Sequence, residues 1–189
     1  MIRSARFNTL TVLVIALVAI LAVAGQTAET QTKPFKISGG GQAPDGISLI
    51  PGAPAYHWAV GTATELGEYY GEGHFQILDF TDSLTAEFSS APDFVFTAAN
   101  GDELAFTYGV ANEPGVVTLT PQSDGSFIAV FVAEFNPVPE NCTGRFAKVT
   151  GGSFVMVAKS EPFFILGTTT TPFAYTWEGE GQLEFAKGK

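Results

Sequence analysis

Hydropathy divides the chain into an apolar leader, a polar stretch and a long succession of short alternating runs. From Tyr56 onward, runs rich in Val, Phe, Thr and Tyr are separated by turn residues. They predict strands at 56–63, 68–80, 84–89, 93–98, 103–110, 115–121, 126–135, 153–159, 162–168 and 172–186, with a break in the last at Gly179 to Gly181. In the run from Ser126 to Phe135, Phe127, Ala129, Phe131, Ala133 and Phe135 share one face, while Ile128, Val130, Val132 and Glu134 share the other. Both faces are largely apolar, which predicts a strand covered on its outside as well as its inside. Asn100-Gly101 and Asp124-Gly125 mark hairpins, because both residue types in each pair accept positive φ. Beyond the leader no segment sustains a 3.6-residue apolar period over three turns, so little helix is expected. Regularly spaced short strands with turn signals make the chain all-β, a sandwich or a barrel.

The leader changes the picture of compartment. Arg3 and Arg6 precede an uncharged run, "LTVLVIALVAILAVA", from Leu10 to Ala24. A basic start, an apolar stretch and small residues at its end are the plan of an export signal, here an N-terminal signal helix cut near Ala24. A membrane span would need roughly 20 apolar residues, so the run is short for an anchor. The organisation expected is a signal peptide at 1–24, a flexible tether and Gly/Pro-rich loop at 25–54, and a β-domain at 55–187. Of 189 residues, about 165 then remain, enough for one domain with a sizeable core. The location expected is secreted or periplasmic.

Charge excludes some partners. The chain carries a net charge of −10, and losing Arg3 and Arg6 with the signal takes it to −12. No lysine or arginine lies between Lys36 and Arg145. Such a surface repels phosphate backbones and anionic headgroups, so no nucleic acid and, once the signal is cut, no membrane is expected as a partner. Cys142 is the single cysteine, so the chain has no internal disulfide, and without a histidine near it in sequence it reads as structural.

Three segments carry a resemblance. "GTATELGEYYGEGHFQI" (61–77), "AANGDELAFTY" (98–108) and "TGRFAKVTGGSFVMVA" (143–158) resemble small secreted bacterial β-barrel domains, themselves similar to the allene oxide cyclase and dirigent barrels. The similarity spans most of residues 56–186, and its motifs of glycine, threonine and phenylalanine specify backbone. It implies an antiparallel β-barrel of about eight strands, whose interior is filled by side chains or holds one small ligand. It also implies no cofactor, a small apolar ligand as the partner, and homo-oligomers among the assemblies. Two departures stand out: glutamate at position 65 where the bacterial pattern commonly has histidine, and "NC" in place of a doubled glycine before the "TGRF" turn.

The densest candidate chemistry lies in the first of these segments. On a strand, Glu68, Tyr70, Glu72, His74 and Gln76 share one face about 7 Å apart. One histidine with two carboxylates is a poor transition-metal set, and no calcium loop is present, so no metal is expected. Glu68 with Glu72, or Glu65 brought in from across the ring, have the makings of an acid/base pair, with Tyr56, Trp58, Tyr69 and Tyr70 as a sugar platform. Phe75 and Ile77 favour the odd positions as the core side, which sends the even positions to water. The opposite orientation would make Glu72 and His74 ligand contacts inside the barrel. Arg145, isolated in "NCTGRFAK", is the candidate clamp for a ligand anion, or else the partner of an acid that fixes the turn. No catalytic residue is assigned. The leading expectation is a non-catalytic ligand-binding barrel, with a cofactor-independent cyclase or isomerase and an extracellular interaction protein as alternatives. Polar groups converging on an open cavity would favour the enzyme, and an interior plugged by phenylalanine would exclude it.

Overall fold

The computed structural model describes residues 29–109 and 113–187; the leader at 1–24, with its expected signal helix, lies outside the described residues. Twelve strands follow in order: β1 (Thr30–Ala43), β2 (Ala55–Ala63), β3 (Gly67–Phe80), β4 (Thr85–Ser90), β5 (Phe94–Ala98), β6 (Glu103–Tyr108), β7 (Gly115–Pro121), β8 (Phe127–Pro137), β9 (Val149–Ser160), β10 (Ile165–Leu166), β11 (Thr169–Thr170) and β12 (Phe173–Ala186). Two single turns of 3-10 helix, Pro139–Asn141 and Gly144–Phe146, are the helical elements among the described residues. The fold is all-β.

Ten strands form one antiparallel sheet in the order β2-β1-β12-β9-β8-β6-β5-β3-β4-β7, and the additional pairings β2 with β3 and β8 with β7 partly close it into a ring. On β3, Tyr69 to Glu72 pair with β5 and Phe75 to Phe80 pair with β4. On β8, Phe127 to Val132 pair with β7 and Phe135 to Pro137 with β6. Either route round the ring counts eight strands, so the two long strands are bridged by two short pairs. This sharing is why the sheet holds ten strands where about eight were expected.

Most predicted strands form within a few residues of their expected ends, and three features differ from expectation. Residues 30–43, expected as tether and loop, form β1, which pairs along its whole length with β12 and over Ile37 to Gln42 with β2. Its inner face is Phe35, Ile37, Gly39, Gly41 and Ala43, while Thr32, Lys36, Ser38 and Gln42 point out. Alternation is therefore present, but glycine at two inner positions hides it from a hydropathy pattern. Second, the run at 162–168 contributes only the small β10–β11 hairpin, whereas β12 continues unbroken through Gly179 to Gly181. Third, among the described residues no layer covers the outer face of β8, and Val132 remains 41% exposed. At the β5–β6 hairpin Gly101 alone takes positive φ, at 85°, while Asn100 does not.

The interior is mostly aromatic. Phe35, Phe94, Phe96, Phe106 and Phe154 are fully buried. Phe35 and Phe106 flank Phe154 at ring separations of 5.0 Å each, and together they plug the end where β1 begins and β12 ends. Gly71 on β3 faces this core, and a Cβ there would lie 2.6 Å from the Phe94 ring. Gly71 and Gly73 of the "GEYYGEGHF" stretch are therefore spaces for Phe94, which is why they alternate with its polar outward residues, whereas Gly67 takes positive φ, at 71°, where the turn from β2 enters β3.

Candidate functional site

The other half of the interior is less full. A cavity of about 60 Å3 lies among Ala43, Phe88, Phe131, Met156, Phe173 and Trp177, with His57, Tyr108 and Tyr175 in its wall. Its surface is almost wholly apolar, and a second void of about 30 Å3 adjoins it beyond Ile47 and Phe131.

His57 is carried inward by the pleat of β2, in phase with Ala55 and Ala59, while Tyr56 and Trp58 point out. Small inner neighbours leave room for the imidazole, which packs 4.7 Å from the Phe94 ring and edge-on to Phe75 at 5.4 Å. Its Nδ1 lies 2.9 Å from the Tyr175 hydroxyl and its Nε2 lies 2.9 Å from the Tyr108 hydroxyl. The Tyr175 hydroxyl also donates to the Trp58 carbonyl at 3.1 Å. That donation uses Tyr175's proton, so its oxygen accepts from Nδ1–H, and Nε2 is left to accept from Tyr108. The chain of bonds runs Tyr108 to His57 to Tyr175 to the Trp58 carbonyl, and every member is satisfied.

Burial, assisted by the nearby His74, pushes His57 down to about 3, so it is neutral at ordinary pH. Burial likewise raises Tyr108 and Tyr175 well above the usual phenol range. Beside them Trp177 donates its indole N–H to Tyr69 at 2.7 Å, and Tyr69 donates to the Ser38 carbonyl at 3.2 Å. Burial pushes the Tyr69 phenol up to about 12. Gly41 makes the geometry of Tyr175 possible, since a Cβ there would stand 2.7 Å from its hydroxyl and would collide with the Trp58 carbonyl.

The three candidate ligand contacts Glu72, His74 and Arg145 do not line this cavity. Glu72 and His74 stand on the exposed, even face of β3, because the odd positions Tyr69, Phe75 and Ile77 fill the core. Glu72 there accepts from the Tyr56 and Tyr70 hydroxyls at 2.9 and 3.1 Å, and neither it nor His74 lines the cavity. Arg145 sits in the second 3-10 turn. Its Nη2 donates to the Leu66 carbonyl at 2.9 Å, and its Nε is 3.6 Å from Asp102. These contacts tie three turns together. Glu65 pairs with Lys33 at 3.0 Å. Cys142 is buried, its thiol donating to the Val138 carbonyl at 3.3 Å, and burial raises its pKa, so it is a protonated packing group. Among the described residues no three His, Cys, Asp or Glu side chains converge as a metal-binding group.

His57, Tyr108 and Tyr175 were missed as a site because a lone histidine flanked by larger aromatic residues gives no spacing motif. The available signal was phase: His57 alternates with alanines on β2, so one of the two faces had to take it inside. No protein-family model, curated protein or solved structure matches this chain.

Proposed function

We propose that this protein is an exported β-barrel of the allene oxide cyclase-like kind that takes a small apolar ligand into its interior without transforming it. The observation that carries the reading is the apolar cavity of about 60 Å3 beside the closed Tyr108–His57–Tyr175 chain. By volume it has room for several waters, but it presents almost no polar surface, and apolar cavities stay dry; those that take up benzene are about 150 Å3, so a hydrocarbon guest here requires the wall to give way. Every polar hydrogen of the hydroxyl and imidazole groups in the wall is already donated, so a polar ligand would find no free donor and would lose its own hydration. Met156, unbranched and flexible, is the wall residue best able to yield to something larger.

The same pairing argues against catalysis. The bonded chain ends on the Trp58 carbonyl, which does not ionise, so no proton can be passed along it to a sink. A cofactor-independent cyclase or isomerase is the second reading, favoured by the Tyr108–His57 pair beside an apolar space. It would use the Tyr108 hydroxyl as the proton donor to a lipophilic substrate. The two readings separate on one variant: Tyr108→Phe abolishes turnover in the enzyme reading, and in the binding reading it alters affinity with no turnover to lose.

Native mass spectrometry of the protein purified from its own host tests the proposal. A co-purified apolar molecule in substoichiometric or full occupancy, lost in Ala133→Phe, which fills the cavity, supports it. Protein free of any adduct, together with no uptake of added hydrocarbons, overturns it. The mass also reads the signal: cleavage near Ala24 is expected for an exported chain.

A further inference from the structure

The outer surface of β2 and β3 carries an aromatic cluster that the interior site does not use. Register places Tyr56 opposite His74, Trp58 opposite Glu72 and Val60 opposite Tyr70, all on outward positions. The Trp58 and Tyr70 rings lie within 21° of parallel with centroids 6.4 Å apart, and Tyr70 is 41% exposed. Tyr56 adds a third ring, 5.4 Å from that of His74. The hydroxyls of Tyr56 and Tyr70 lie 3.1 Å apart, and both donate to the same oxygen of Glu72, Oε2. On the neighbouring β1 the outward residue opposite Val60 is Gly40, which leaves that flank low, while the outward Gln42 stands opposite Trp58 as a polar edge to the cluster.

From this geometry we infer a binding surface for neutral oligosaccharides, with Trp58 and Tyr70 as the stacking platform and Glu72 as the hydroxyl acceptor. Two near-parallel rings at that separation, one of them 41% exposed, offer aromatic carbon to the C–H faces of a pyranose ring. The shared carboxylate fixes two tyrosine rotamers before any ligand arrives, which removes ordering cost from binding. Glu72 spends only Oε2 on the tyrosines, so Oε1 keeps its lone pairs toward solvent for sugar hydroxyls. An alkylammonium ligand fits less well: its cages surround the cation with ring faces, whereas these rings are near parallel and the carboxylate charge is already shared by two donors. Glu72 and the chain's net charge of −10 exclude uronate and sulfated sugars.

The chain has two tryptophans, one at this surface and one in the cavity wall, so their indole N–H resonances report separately. Titration of the full protein with cellopentaose, chitopentaose and xylopentaose, followed by proton–nitrogen NMR, is the test. The expected result is a saturable shift of the Trp58 indole with at least one of these sugars, with Trp177 unmoved, and a loss of about tenfold or more in affinity, read from the backbone amides of β2 and β3, for Trp58→Ala and for Tyr70→Ala. Trp58→Ala keeps the backbone carbonyl that Tyr175 uses, and an unchanged Trp177 resonance verifies that each variant is folded. No saturable Trp58 shift with any of the three sugars overturns the inference, as does affinity that survives both variants. A Trp58 shift with tetramethylammonium alone also overturns it.

Discussion

At the residue scale the decisive group is His57, because its neutral state is built into the packing. An unfolded histidine titrates near 6.5, whereas burial holds this one at about 3. Between those values the unfolded chain binds the proton and the folded chain does not. Stability from this group is therefore complete above about pH 6.5 and falls as the pH drops toward 3, by roughly 1.4 kcal/mol per pH unit. Chemical denaturation across that window should show the loss, and His57→Gln, although less stable at neutral pH, should show a shallower slope. Equal slopes would mean that His57 is exposed to solvent. Tyr175→Phe removes both the acceptor for Nδ1–H and the donor to the Trp58 carbonyl. It should cost about 1–3 kcal/mol by the same measurement, since two buried polar groups lose their partner.

At the element scale β1 tests how the ring is put together. Paired on both sides from Ile37 to Gln42, its amides in that segment should exchange as slowly as those of β12. Hydrogen exchange at the rate of an unstructured chain would contradict its place in the sheet. Gly41→Ala should destabilise by about 2 kcal/mol or more, because the added Cβ meets the Tyr175 hydroxyl and the Trp58 carbonyl. The same strand shows where sequence reading stopped. Strands β2 to β9 and β12 were legible because Val, Phe and Tyr recur at alternate positions between marked turns. In β1 the inner positions Gly39 and Gly41 carry no side chain, so only Phe35 and Ile37 signal a period of two. On β2 the usual rule even runs backwards: Tyr56 and Trp58 face out while Ala55, His57 and Ala59 face in, so hydropathy alone assigns the wrong side to the one buried histidine. The orientation of β3 was legible, because Phe75 and Ile77 agree with Tyr69 on the inner side.

At the scale of the whole molecule, the ring is filled unevenly. Phenylalanines close one half, and the other half keeps a cavity whose polar neighbours are spoken for. The proposed function requires that this space receive an apolar guest. Its most direct test is a benzene titration of the intact protein, followed through the Trp177 indole N–H and the His57 ring protons by NMR. The claim predicts saturable shifts at both residues, none at Trp58, and loss of the response in Ala133→Phe. Resonances of Trp177 and His57 that stay fixed up to the solubility limit of benzene would contradict it.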